Sequence, residues 1–323
     1  MGSLIVLFIL ILSSGTAMAQ QKLTMAYTTI SPNYSPIWIA KDFGIFEKNG
    51  VSADVVFIRG ATPAAQALMG GSVQFVYGGG AATITAALSG ADFVILAVPS
   101  NRIGQVLVTK RKLPSPRELK GARIAVISLT GTDMLAARVI LNALGVNPDK
   151  DITFLALGSS SSSLQALRSS LVDATVLTPP LTLQARKAGY YLYDDVSVLK
   201  DVEYISASLI ARWDFVRKEP SVVEKVVRSI VEAVHLYRTN KPATLRILKK
   251  YLRLQDPEEL EEAFSRFLNQ SAEKPYPTIR AVKTILEWSS HPNAKTADPA
   301  KFIEPRFVEK LDREGFIDAL YKK

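Results

Sequence analysis

The chain contains no cysteine and only two histidines, His235 and His291, far apart in sequence. The first absence excludes disulfides, a thiolate nucleophile, Cys-ligated metal and a lipid-modified cysteine after a leader. The second leaves no His pair at metal-ligand spacing, so no metal and no cofactor is expected and stability has to come from packing. Long apolar runs are also missing beyond the first twenty residues. Leu4–Leu12 is unbroken but far short of the roughly 20 residues that span a bilayer. Ala17-Met18-Ala19 follows it, a small-x-small pattern that predicts a signal peptide over 1–19 cleaved before Gln20. No Lys or Arg precedes the run, and an uncleaved anchor or buried helix is the competing reading. The expected compartment is the periplasm.

Nucleotide fingerprints are absent too. Gly78-Gly79-Gly80 is followed by no Lys-Ser/Thr and fits no dinucleotide pattern. The formal charge is +9, but the basic residues are dispersed, with small clusters at Lys110-Arg111-Lys112 and Lys249-Lys250. No aromatic-rich RNA-binding motif accompanies them, so a solvated surface is expected and no nucleic-acid partner.

What the 323 residues do show is an alternation of short apolar strands and helical stretches, long enough for two lobes. Strands are predicted at Leu23–Thr29, Asp54–Ile58, Val73–Tyr77 and Phe93–Val98. Helices are predicted at Pro36–Asn49, from Thr62 as cap to Met69, and after the triple glycine to Leu88. The order restarts with strands at Arg123–Ser128, Ile152–Leu157 and Ala174–Leu177. Its helices are Thr132–Leu144, Ser160–Leu171 and one opened by Pro179-Pro180. Parallel strands with crossover helices are implied. Gln66-Ala67-Leu68 recurs as Gln165-Ala166-Leu167, and Gly50-Val51 as Gly145-Val146, with Pro148–Asp151 absorbing the difference in offset. The fold class is α/β: two doubly wound lobes. Asn101–Thr109 with Lys112–Gly121, and Tyr204–Ala211, read as two crossings between them, a two-segment hinge. Helical stripes such as Val223, Val226, Val227 and Ile230 fill the last third and are expected to buttress the first lobe. The predicted division is 20–105 with 206–323 for lobe 1 and 106–205 for lobe 2.

Ligands of open parallel sheets bind beyond the carboxyl ends of the strands, where helix N-termini offer unpaired N–H groups. The candidate ligand-binding residues are those of the strand-to-helix turns. In lobe 1 they are Thr29, Ser31, Tyr34, Ser35, Trp38, Arg59, Gly60, Gly79, Gly80 and Ala81. In lobe 2 they are Thr130, Gly131, Thr132, Asp133, Ser160 and Pro180, and Tyr204 is added from the return crossing. Such residues also serve purely structural turns and caps, and no catalytic set stands out among them.

The segment from Ser35 to Lys48, SPIWIAKDFGIFEK, resembles the opening of the nitrate/sulfonate/taurine family of solute-binding proteins, which includes binders of a thiamine pyrimidine precursor. Gln66-Ala67-Leu68, Gly78-Gly79-Gly80, Leu119-Lys120-Gly121, Pro275-Tyr276-Pro277-Thr278 and Phe307–Asp318 extend the resemblance over nearly the whole mature chain. It implies a type II periplasmic binding protein fold. It also implies a ligand in the inter-lobe cleft, at Thr29–Ser35, Gly78–Ala81 and Thr130–Asp133, with an ABC importer permease as partner and a monomeric state. It leaves open an anionic, zwitterionic or heteroaromatic solute. The alternatives are a sensory module for a membrane partner, or an enzyme like the fungal pyrimidine synthases, whose Cys-rich iron loop this chain lacks.

Overall fold

The structure, a computed structural model, describes residues 22–129, 131–193 and 202–322. The predicted leader and Thr130 lie outside the described residues.

From the amino end the chain forms β1 (Lys22–Tyr27), α1 (Ser35–Asp42), α2 (Ile45–Lys48), β2 (Ser52–Phe57), α3 (Ala61–Met69), β3 (Phe75–Gly78), α4 (Gly80–Leu88) and β4 (Phe93–Ser100). It then crosses to a second lobe holding β5 (Val106–Thr109), β6 (Ala122–Val126), α5 (Thr132–Ala143), β7 (Ile152–Ala156), α6 (Ser160–Arg168), β8 (Ala174–Leu177), α7 (Leu181–Lys187) and β9 (Tyr191–Tyr193). After the return crossing, β10 (Ala207–Arg212) is followed by α8 (Trp213–Lys218), α9 (Pro220–Thr239), α10 (Lys241–Leu252), α11 (Pro257–Gln270), α12 (Ile279–Trp288), α13 (Arg306–Arg313) and α14 (Phe316–Tyr321).

Each lobe is built on a five-stranded sheet, ordered β2-β1-β3-β10-β4 in the first and β7-β6-β8-β5-β9 in the second. The two orders are the same when β6 is laid on β1 and β5 on β10. The local match is close: α3 and α6 are both nine residues long, and α2 and α5 end on the same device. Gly50 and Gly145 each adopt φ +76, and the N–H groups of Val51 and Val146 donate back to Phe46 and Leu141 at 2.9 Å. Only glycine enters that left-handed conformation freely, and the valine that follows closes the helix end by entering the core. The extra residues of the second lobe form a turn in which Asn147 Oδ1 accepts from the N–H groups of Asp149 and Lys150 at 3.0 and 3.1 Å.

The structure corrects the expectation of purely parallel sheets. β10 runs antiparallel to β3 and β4, and β5 antiparallel to β8 and β9. These are the strands at the crossings: Val106–Thr109 is a buried strand where a linker was expected. The helix predicted over Pro36–Asn49 is two helices, because Gly44 at φ +65 breaks it. Gly60, not Thr62, caps α3.

Alternating strand residues feed two layers. Met25, Phe75 and Tyr77 face a core shared with α1, α9, α10 and α11, while Ala26, Val76 and Ile95 face a second one with α3, α4 and α12. The second sheet is likewise covered on both faces, by α5 and by α6 with α7. Among the described residues no helix is long and apolar enough to cross a membrane.

Candidate functional site: the cleft between the lobes

The carboxyl ends of β1 and β3 lead into a turn (Pro32–Tyr34) and into α4. Those of β6 and β8 lead into α5 and α7. These ends face one another where the lobes meet. Gly79, the N-cap residue of α4, is so close to Thr132, the first residue of α5, that a Cβ added at Gly79 would overlap Thr132 Oγ1. The return crossing seals the same point: Tyr204 Oη donates to Thr132 O at 3.1 Å, and Gly80 N–H donates to Ile205 O at 3.0 Å.

Asp133, in the first turn of α5, stands beside this contact. Gln105 Nε2, from the outward crossing, donates to Asp133 Oδ1 at 3.0 Å. Burial pushes the Asp133 carboxyl up to about 6, against the opposing pull of Gln105. Its charge is felt in both neighbouring phenols. Tyr34 is raised chiefly by burial, against hydrogen bonds from Thr28 and Thr29, with Asp133 adding to the rise. Tyr204 is held well above the usual phenol range by burial and then by Asp133. The Tyr34 hydroxyl shares a 3.1 Å hydrogen bond with Thr28 Oγ1, and its ring meets Tyr77 edge-on at 5.5 Å between centroids. Among the described residues Tyr77 Oη is buried without a partner.

The two crossings are themselves paired. Tyr204 N–H donates to Asn101 O at 2.9 Å, Ser206 N–H to Ser100 O at 3.0 Å, and Ser206 Oγ to Arg102 O at 2.5 Å. Gln270, at the end of α11, packs its amide on Gly104, leaving no room there for a Cβ, and Asn101 N–H donates to Gln270 O at 3.1 Å. Away from the crossings a second set of contacts joins the lobes through α7 and α11. Thr182 Oγ1 donates to Glu262 at 3.2 Å and Gln184 to Glu259 at 3.3 Å, and Lys187 lies 2.8 Å from both Asp256 and Glu258.

Of the residues expected at the site, the structure brings together Tyr34, Gly79, Gly80, Thr132, Asp133 and Tyr204. Thr29 is exposed at the lip, and Ser31 is buried at the start of the Pro32–Tyr34 turn. Gly60 donates from its N–H to Thr28 O at 3.1 Å, Ala81 is buried in the first turn of α4, and Gly131 caps α5. Pro180 follows a cis peptide bond at the head of α7. Four others are placed differently. Ser35 Oγ is spent on Pro32 O at 2.6 Å. Trp38 is completely buried, stacked on Tyr251 at 4.6 Å and edge-on to Tyr27, because its helix face packs on α9 and α10. Arg59 is exposed and lies over the Phe57 ring. Ser160 stands in the first turn of α6, where the capping oxygen is that of Ser159. Gln105 and Gln270 were not anticipated. Both owe their place to the way the crossings pack, and no local motif marks them.

The family described as NMT1-like matches residues 16–252. The chain belongs to that family. A candidate binding protein of Brucella abortus (strain 2308) is 29% identical over 219 residues, covering 67% of each chain. Among solved structures, a protein of Bordetella bronchiseptica RB50 superposes with a TM-score of 0.76 at 20% identity, covering 91% of this chain and 97% of its own. The periplasmic aliphatic sulphonate binding protein of Escherichia coli gives 0.67 at 18% (84% and 86%). The periplasmic nitrate-binding protein of Synechocystis PCC 6803 gives 0.65 at 15% (91% and 88%). The fold of this NMT1-like chain is the two-lobed α/β fold of periplasmic binding proteins.

Proposed function

We propose that this NMT1-like chain is the extracytoplasmic solute-binding protein of an ABC importer. It captures a small molecule between its lobes and delivers it to the permease as a monomer, without chemical conversion. The observation that supports this reading is the meeting of the α4 and α5 heads at the seam between the lobes, backed by two hydrogen-bonded crossing segments. Two short crossings let the lobes rotate as bodies while their cores stay intact. The division that follows is 20–105 with 206–323 as one moving body and 106–205 as the other. The apolar run and Ala17-Met18-Ala19 support export to the periplasm, as does the compartment named for the sulphonate and nitrate binders.

A thermal-shift screen over nitrate, sulfonates, carboxylates, amines, pyrimidines and purines tests the reading. A true ligand at a hundred times its Kd stabilises the fold by about 2.7 kcal/mol. The same compound should no longer be taken up by cells from which this chain is deleted. Stabilisation by no compound class, or binding without any uptake defect, would count against it.

A further inference from the structure

The pole of lobe 2 that faces away from lobe 1 is made by the N-terminal ends of β6 and β8, the end of β5 and the end of α6. A cavity of about 420 Å³ opens there, lined by Lys110, Arg111, Lys120, Gly121 and Ser170 among others. Lobe 1 repeats the construction. A cavity of about 280 Å³ lies at the N-terminal ends of β1 and β3, lined by Leu23, Leu68, Phe215 and Arg212 among others. One contact is common to both poles. Arg212, which ends β10, donates to the carbonyl of Met69, the last residue of α3, at 2.7 Å. Lys110, which follows β5, donates to the carbonyl of Arg168, the last residue of α6, at 2.9 Å. Each cation closes a helix carboxyl end, where the dipole is negative. That duty accounts for one cation in each lobe, and beyond it the two poles differ.

In lobe 1 the cation is neutralised where it stands: Arg212 grips the Asp214 carboxylate through Nε and Nη2, and Lys22 lies 3.1 Å from Asp54. In lobe 2 Lys110 gives its ammonium to neutral acceptors, Arg168 O and Ser170 Oγ, the latter at 2.5 Å. Two more cations line the same cavity. Arg111 is 4.0 Å from Glu118 and Lys120 is 3.9 Å from Asp151, both at the limit of ion pairing and both more than half exposed. Pairs of that kind contribute little and give way at small cost. Asp173, also in the lining, is held by the N–H of Arg123 at 2.8 Å and its guanidinium at 3.6 Å. Lys112 lies over the Tyr191 ring beside this rim. We propose that the pole is a binding site for an oxyanion of the phosphate class, carried by a free phosphate ester or by a lipid headgroup. Arg111 presents a planar fork of N–H donors, and Lys110 and Lys120 add point charges, which together match the several oxygens of a phosphate. The site lies at the end of lobe 2 away from the seam, so it stands independently of solute capture.

The test is calorimetric titration of the full-length chain with inorganic phosphate and glycerol 1-phosphate, beside co-sedimentation with vesicles of phosphatidylglycerol and phosphatidylcholine or of phosphatidylcholine alone. A phosphate probe or the anionic vesicle is expected to bind at low ionic strength and to lose most of its affinity at about 0.5 M salt. Arg111→Gln with Lys120→Gln keeps the contact of Lys110 with α6 and should weaken binding about tenfold or more, as for loss of charged hydrogen bonds. Arg111→Gln alone should weaken it severalfold. Lys22→Gln with Lys218→Gln removes the same charge from two exposed residues of the other pole and should leave affinity within about twofold. Circular dichroism and melting establish that the variants fold. Binding of the small probes identifies a soluble ester as the source, and binding of the anionic vesicle alone identifies the headgroup. Equal weakening by the two double variants reduces the effect to net charge and overturns the site. Binding indifferent to Arg111 and Lys120, or no binding of any probe, overturns it as well.

Discussion

Thr132, at the head of α5, rests on the backbone of Gly79, at the head of α4, and the two lobes meet through that pair. A methyl group at Gly79 would overlap Thr132 Oγ1 and come within 3.3 Å of Thr132 Cβ. The backbone at Gly79 (φ −78) suits any residue, so the glycine is required by its neighbour across the cleft and not by its own conformation. Gly79→Ala should therefore leave secondary structure and the melting of the ligand-free chain nearly unchanged while weakening solute binding about tenfold. Thr132→Ala in the same chain should recover part of that loss, and titration of the single and double variants measures the coupling.

Asp133 makes capture depend on pH. Its carboxyl is shifted from 3.8 to about 6 in the folded chain. Around it stand Gln105, Tyr34 and Tyr204. α5 also packs on α4, which has no charged residue, and on α12, whose charged residues are Arg280, ion-paired with Glu203, Lys283 and Glu287. A solute bound beside the carboxylate should change in affinity as the pH passes through about 6 and be level above about pH 7. The empty protein should respond as well. The folded chain takes up this proton before the unfolded chain does, so Asp133 adds stability as the pH falls from about 6 toward 4. Titrations and melting curves across this range, with Asp133→Asn flattening both trends, check the assignment.

Lys187 on α7 bridges Asp256 and Glu258, at the N-terminal end of α11, on the exposed surface. Hydrogen bonds from Lys187 hold Asp256 below the usual carboxylate range. Since the pair joins the two lobes, Lys187→Glu should open the closed state and weaken binding a few-fold at low ionic strength. The difference should shrink toward nothing at about 0.5 M salt, where screening acts within a few ångströms. Small-angle scattering of the liganded variant at both salt concentrations reads the opening directly.

Trp38 is placed in the core of lobe 1. Its indole is enclosed by Tyr27 and Tyr251, with Nε1 buried and unpartnered. Trp38→Phe should lower the unfolding free energy by about 1–2 kcal/mol through lost packing. Affinity should stay within about twofold of the parent, as denaturant unfolding and titration of the same sample would show.

The strands and helices of both lobes were legible because each carries its own signal: a buried apolar run, a glycine beyond the helix end, a proline in the first turn. Recurrence of Gly50-Val51 as Gly145-Val146 exposed the doubled architecture, since the same helix stop recurs before β2 and β7. The crossings were harder to read. Val106–Thr109 is four buried residues that a linker and a strand share equally well, and only the vacancy beside β8 decides between them. Trp38 illustrates the same limit at the site. A tryptophan in the first turn of the helix that follows β1 suits a ligand wall or a core, and the covering by α9 and α10 comes from residues about two hundred positions away. Asp133 was visible as the one acid at these strand ends. Gln105 and Gln270 gain their meaning only from the carboxylate and the glycine they touch.

The placement of β10 between β3 and β4 has a consequence for the order in which the molecule assembles. The second sheet draws all its strands from Val106–Tyr193, an uninterrupted stretch that can close as soon as it has emerged. The first must hold a place open beside β3 until residue 212 arrives, more than a hundred residues later. A chain delivered from its amino end thus begins one lobe, completes the other, and then returns to finish what it started. Of the pairings between the strands of either sheet, that of β10 with β3 closes the largest loop.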